Sequence, residues 1–508
     1  MTQQRERRWK HPIRDIALLL AAIGVLRLLY PVYWVMTARA NPSTDYAARL
    51  RELVAAAQPG PPPGATSDAD GWPALVEAGL EMRRLYEEAT GDERGVDPTL
   101  LTGGYEASVA DIAPDNEDRE SIIADLNEQR ALARRVVESL DQSDLPALLA
   151  EVAASPRAVR PVPDVPLWEV LLPELTTARS LARLWRARMR LAAQRGDGAT
   201  VVACFEQSLA LARTQACQGT LVERIGASTS AFWIIDELHV AIDAGALSPD
   251  HRDSVLVALD RQCRWPDATL GAEVERLLYL DFIQRCFTDD GRGGGRLLLA
   301  ELEQSFGGLE SNTNVLEQMQ AGFMADGRRQ TTRDLNQYAD AVATWVALPR
   351  GERETQAPSP GEVMVGLPET QVFLKRCVRW SDTVCDTEDA LLCRLAALRI
   401  RLHIEQHIAA HGFPPAALDD LAPAFGGELP EDPFAADGRF RYAVVGASGA
   451  PTASAAAPTP RYLLYSVGWD GQDDTGRGDL RDAAELSSRH AGLDFVICRP
   501  ESAAGEPE

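Results

Sequence analysis

At 508 residues with 45% hydrophobic content, the chain is longer than one ordinary core organises, and two or three packed units are expected. A formal net charge of −24 excludes a phosphate-backbone partner, because nucleic-acid binding is driven by clustered Lys and Arg that release counterions.

The basic residues that do cluster come first. In MTQQRERRWKHPIR, Arg5, Arg7, Arg8, Lys10 and Arg14 precede the apolar run IALLLAAIGVLRLLYPVYWVM, Ile16 to Met36. A helix of about 20 apolar residues spans a bilayer. Residues 1–15 are therefore expected to form a cytoplasmic N-terminus and residues 16–36 a transmembrane helix, with everything after Met36 exported by the positive-inside rule. Arg27 costs about 2.5–3.5 kcal/mol near a helix centre. The surrounding Leu, Ile and Val offset it, and Tyr30, Tyr33 and Trp34 suit an interface. Ala38-Arg39-Ala40 keeps a second reading open, a signal peptide cleaved at that site, and a cytoplasmic structural helix is a third. The first two agree on export.

Residues 37–71 form a spacer that ends in the Pro/Gly-rich QPGPPPGATSDADG. A helical body is expected over 72–348, where SIIADLNEQRALARRVVESL, LTTARSLARLWRARMRLAAQRG and ATVVACFEQSLALARTQA repeat apolar residues at three- and four-residue spacing. Gly196-Asp197-Gly198 sets a helix stop beside a helix start, so this junction resembles the corner of a tetratricopeptide-type hairpin. No period of about 34 residues recurs, which favours an irregular helical array over a regular solenoid. The glycines of TDDGRGGGRL, Thr288 to Leu297, lack the Lys and Ser/Thr of a phosphate loop and predict a flexible linker. Residues 349–386, opening on PRGERETQAPSPGEVMVGLPE, are a linker and boundary region. The eight Cys make no CxxC, and most lie in helix-like sequence, as expected of buried thiols with no assignable bridge.

A small α+β unit over 387–498 precedes an acidic tail, 499–508. Its helix, TEDALLCRLAALRIRLHIEQHIAAHG, is expected to be capped by Thr387 and ended by Gly412, with Leu391, Leu395, Leu398, Leu402 and Ala409 forming a buried stripe. GRFRYAVVG and RYLLYSVG alternate as strands do, and LDFVI adds a third. The fold class is mainly α: a transmembrane helix, an irregular, partly tetratricopeptide-like array, then a small unit with an antiparallel sheet.

The order of a helix, His411-Gly412 with Pro414, Leu429-Pro430 with Asp432-Pro433-Phe434, Tyr442, and Tyr462 through Gly471 with Asp494 resembles the globular region of the major pseudopilin of type II secretion. The resemblance covers the last quarter of the chain. It implies a helix running into an antiparallel sheet and a calcium-binding Asp/Gly loop, which makes Asp470, Asp473, Asp474, Asp479 and Asp494 the candidate calcium ligands. Calcium takes about six to eight oxygens, and glycines let carboxylates and carbonyls point inward together. The spacing is not that of an EF-hand, and Asp474-Thr475 replaces the family's second glycine pair; a solvated acidic turn is the other reading of the same residues. No pseudopilin processing site precedes Ile16, and the long helical body separates the anchor from the pseudopilin-like helix, so polymerisation is not expected.

HIEQHIAAH holds His403, His407 and His411. Either adjacent pair, with Glu405 or another carboxylate, suits zinc. All three cannot share one ion, since His403 and His411 are about 12 Å apart along a helix. Surface or helix-end histidines, favoured by the dipole, are the competing account. With no nucleophile elbow, phosphate loop or paired Cys/His signature, the expected function is non-enzymatic: a membrane-anchored scaffold for proteins of the cell envelope, linked to a type II secretion or pilus-like assembly. The alternative is a metal-dependent hydrolase using the His403/His407 face.

Overall fold

The computed structural model describes residues 30, 33, 38–58, 69–90, 96–102, 104–110, 118–163, 165–167, 173–299, 301–302, 322–356, 358–378, 383–444, 462–476 and 494–498. The run from Ile16 to Met36 lies outside them except for Tyr30 and Tyr33. Among the described residues no helix is long and apolar enough to cross a membrane.

Over the described residues the chain is mainly helical, with one small antiparallel sheet. In order come α1 (Tyr46–Ala56), α2 (Trp72–Thr90), α3 (Gly104–Ala110), α4 (Arg119–Ser139), α5 (Leu145–Ala154), α6 (Pro173–Gln194), α7 (Gly198–Ala216), α8 (Leu221–Asp243), α9 (Pro249–Gln262) and α10 (Thr269–Cys286). After these come α11 (Arg328–Val346), α12 (Arg350–Gln356), α13 (Pro360–Val365), α14 (Val372–Cys377) and α15 (Thr383–His411). Helix α1 lies inside the expected spacer. Asp45 caps it by accepting the Ala48 N–H at 2.8 Å, and Leu50 and Val54 pack with Leu270 and Val274 of α10.

At the α6–α7 corner Gly196 takes φ +68° and Asp197 accepts the Thr200 N–H at 3.1 Å, the stop and start expected there. A Cβ on Gly198 would lie 2.2 Å from His251 Nδ1, so only glycine lets the start of α9 close on the start of α7. Helices α6, α7 and α8 pack pairwise, with α9 against α7. Their shared interior holds Leu181, Trp185, Phe205, Leu209, Ile235 and Leu238, all fully buried. The Trp185 indole N–H donates to Gln207 at 2.7 Å.

Thr220 and Glu223 form a capping box at the start of α8, and Glu275 of α10 accepts the Leu221 N–H at 3.1 Å. Desolvation raises the Glu275 carboxyl to about 7, the Leu221 N–H lowers it in part, and the nearby Glu223 charge adds to the rise. The folded chain thus holds this proton after the unfolded chain has released it. Stability from this group falls as pH rises from about 4.5 to about 7. Glu275→Gln is expected to flatten that decline, so that thermal melts of the two proteins converge near pH 4 and separate near pH 8. A constant offset across the range would refute the assignment.

The glycine stretch 288–297 differs from the expected linker. It is a closed turn in which the Thr288 N–H reaches the Arg296 carbonyl (3.0 Å) and Asp290 accepts the N–H groups of Arg292 and Gly294 (2.8 Å each). Short carboxylates that accept local N–H groups supply the order that glycines alone do not.

Helix α15 starts at Thr383, four residues before the expected cap, and Thr387 is buried within it. It ends as expected at Gly412, with φ +82° and an N–H to Ile408 O at 2.7 Å. Leu391, Leu395, Leu398 and Leu402 are buried, each worth about 1.5–3 kcal/mol of removed apolar surface. The helix packs on α8 and α9. A ladder of polar contacts runs along that seam: Glu388 to Arg224 (2.5 Å), Arg394 to Asp236 (2.8 Å), Arg399 to Asp260 (2.6 Å), Arg401 to Asp243 and His239, and Gln406 to Asp253. Burial, with the charges of Arg401 and Arg394, holds His239 well below the usual histidine range, so it stays neutral beside Arg401.

After a 3₁₀ segment, Leu418–Phe425, the sheet forms from β1 (Arg441–Val444), β2 (Tyr462–Ser466) and β3 (Phe495–Cys498), antiparallel in the order β1-β2-β3. Arg441 faces Tyr465, and Val444 faces Tyr462. Tyr462 and Leu464 are buried toward the helices. One apolar cluster extends from Trp72 of α2 through α6–α9 and α15 to Cys498 of β3. A second joins α10, α11 and α14, where the Phe373 ring meets Phe282 at a tilt (5.2 Å) and Phe287 edge-on (5.7 Å).

Candidate functional site

The turn leaving β2 carries the expected aspartates. Gly468, Gly471 and Gly476 have positive φ, as does Thr475 at 62°, and a Cβ on Gly476 would meet Leu463 at 2.8 Å. Asp470 accepts the Gln472 N–H (2.9 Å). Asp473 accepts the Thr475 N–H and the Tyr465 hydroxyl (2.9 Å each), with Arg441 Nε at 3.5 Å. Asp494, buried at the start of β3, accepts the N–H groups of Asp474 (3.3 Å) and Gly476 (2.6 Å). Burial raises the Asp494 carboxyl, and those two donors offset part of the rise. Asp479 lies outside the described residues.

The carboxylates of Asp470, Asp473 and Asp494 are thus turned onto local donors, whereas Asp474 Oδ2 is buried with no hydrogen-bond partner among the described residues. Among the described residues no three His, Cys, Asp or Glu side chains stand together to hold a metal. The contacts of Asp470, Asp473 and Asp494 are those of an acidic turn held by local N–H donors, with Asp494 tying the loop to the sheet. Melting curves of the full chain are expected to coincide in millimolar calcium and in chelator. Asp494→Ala should cost about 1–3 kcal/mol in both, the loss of two hydrogen bonds to a charged acceptor. A calcium-dependent rise in melting temperature that Asp473→Ala abolishes would establish a metal site instead.

The histidines also part company. The His403 ring meets Phe425 edge-on at 4.6 Å, whereas His407 stacks on His411 at 4.1 Å. Glu405 accepts the Tyr462 hydroxyl at 2.8 Å, which ties α15 to β2. Glu405 is thus engaged with Tyr462 and the His403 ring with Phe425, whereas His407 Nε2 is buried with no hydrogen-bond partner among the described residues.

The cysteines are free thiols, all buried except the half-buried Cys263. Burial pushes Cys204, Cys263 and Cys377 up to about 12 and Cys217 up to about 11, which leaves these thiols protonated and unreactive.

Sequence reasoning missed the group that supports the turn. Phe434, Trp469 and Phe495 meet edge to face at 4.9–5.7 Å, and the Arg350 guanidinium lies 4.8 Å from the Phe434 centroid and 4.9 Å from that of Trp469. Arg350 also pairs with Asp386 at 3.0 Å, and Arg353 pairs with the buried Asp389 at 2.7 Å. Helix α12, in the expected boundary region, thereby fastens the sheet to α15. Asp432, fully buried, accepts the Phe434 N–H (3.0 Å) and the Ser466 hydroxyl (2.9 Å). The Asp-Pro-Phe of LPEDPF was the available signal.

Beside this assembly a groove of about 630 Å³ runs between residues 427–431 and β1. Leu418, Leu429, Phe440 and Tyr442 form its apolar lining, and Asp419, Glu428, Glu431 and Asp437 its acidic rim. Asp437 is paired with Arg441 (3.1 Å) and Asp419 with Arg439 (3.6 Å). The chain matches no protein-family profile, no curated protein and no solved structure.

Proposed function

We propose that the protein is a non-enzymatic scaffold of the cell envelope, anchored by the segment from Ile16 to Met36 and linked through its C-terminal region to a type II secretion or pilus-like assembly. The observation that carries this reading is the seam between α15 and the body. Helix α15 is clasped along its length to α8 and α9 by ion pairs. A helix committed in this way serves as a mount for the sheet rather than as a polymerising rod. The helix-then-antiparallel-sheet order supports the pseudopilin-like character of the C-terminal region.

Two measurements test it. After the outer layer of intact cells is permeabilised, external protease should cleave the body and spare an N-terminal tag; protection of the body would overturn the topology. Metal analysis of the purified protein should give no stoichiometric zinc. Zinc bound one to one and lost in His407→Ala would favour the hydrolase.

A further inference from the structure

We infer that the edge of β1 and the groove beside it form a docking site for an extended basic segment of a partner protein, which adds to the sheet as a fourth strand. β1 ends the β1-β2-β3 order, and among the described residues it pairs with β2 alone. Its residues are half-buried or exposed, and among the described residues no strand pairs with its outer edge. An uncovered edge offers a row of backbone donors and acceptors to an incoming chain.

The groove sets the form of that chain. The turn between its walls is closed by the Asp432 N–H on Gly438 O at 2.9 Å, and from it the chain diverges into β1 on one side and residues 429–431 on the other. Among the described residues, the backbone N–H groups of Glu428, Leu429 and Glu431 have no partner. An extended segment lying between the walls can pair with β1 and set alternate apolar side chains over Phe440, Leu429 and Tyr442. The remaining side chains point to the rim.

Charge fixes the class of partner. On the rim, Asp419 and Asp437 already have arginine partners, whereas Glu428 and Glu431 are exposed and face no cation among the described residues. The rim therefore carries two uncompensated negative charges on a chain of net charge −24. Lys or Arg at alternate positions of the incoming strand complements them, and an acidic strand is repelled.

This inference deepens the scaffold reading and rests on it for biological meaning, but its test uses purified protein and is independent of topology. The probe is a labelled peptide of alternating lysine and valine, titrated into the full chain by fluorescence anisotropy. Binding should weaken with salt and by about tenfold in the double variant Glu428→Lys, Glu431→Lys. The same peptide N-methylated at alternate residues, which keeps the charge but cannot pair along a strand, should lose binding, and a glutamate–valine peptide should not bind. Retained affinity of the N-methylated peptide, or no effect of the double variant, would overturn the proposal. Two other occupants are also distinguished. Binding seen only after deletion of residues 447–459 would give the groove to the chain's own loop, and self-association that the peptide does not displace would give it to a second copy. Either result overturns the proposal.

Discussion

Trp185→Ala is expected to lower unfolding free energy by about 3–5 kcal/mol, the range for emptying a large aromatic site in a packed core. Trp185 is fully buried at the centre of α6, among the helices that define the array, and its indole N–H is satisfied by Gln207. Truncation leaves a cavity that rigid neighbours cannot fill and strands the Gln207 acceptor. Trp185→Phe keeps most of the volume and should cost about 1–2 kcal/mol, chiefly the lost hydrogen bond. Urea denaturation of the full chain followed by far-UV circular dichroism measures both. Because the second apolar cluster is separate, the transition in Trp185→Ala should split, the part reporting α10 and α11 moving least. A loss below about 1 kcal/mol would mean that the site collapses freely and that packing there is loose.

Glu237→Ala should be nearly as damaging. Its carboxylate is wholly buried on α8 and binds two arginines of α6, Arg190 through two nitrogens and Arg186 at 3.4 Å. Removing one partner of a buried ion pair costs about 3–5 kcal/mol. The lower end is expected here, because Arg186 and Arg190 are 22% and 23% exposed and regain some hydration once released. Arg190→Leu placed on Glu237→Ala should recover part of the loss by removing an uncompensated charge, and a double-mutant cycle reads the coupling directly. Additive effects would show that the pair is not coupled.

The helices and strands were legible because they follow from local chemistry. Three-four apolar spacing marks α4, α6 and α7, alternation marks β1 and β2, and the Gly196, Asp197 and Gly412 signals act within one turn of the chain. What escaped depends on distant partners. Helix α15 extends past Thr387 because Asp386, in its first turn, meets Arg350 from another helix. The ladder on α15 pairs residues more than a hundred positions apart, and no periodicity encodes that. At the turn after β2, composition revealed the aspartates but not where they point. Five carboxylates in sequence admit either convergence on an ion or a solvated turn, and the contacts of Asp470, Asp473 and Asp494 with nearby N–H groups are not written in composition. The glycine stretch at 288–297 is ordered by Asp290 through contacts that a residue count does not express.

The apolar cluster that contains both Trp72 and Cys498 has a consequence for biogenesis. A chain made from its N-terminus presents α2 and α6–α9 long before α15 and the sheet, so for most of that time the body lacks the surface that covers α8 and α9. The Asp236, Asp243 and Asp260 carboxylates are then hydrated and mutually repelling, which disfavours premature collapse of that face until the arginines of α15 arrive. The last helix to emerge acts as a delayed lock, and a nascent chain stopped before it would expose an open, acidic seam to quality-control proteases.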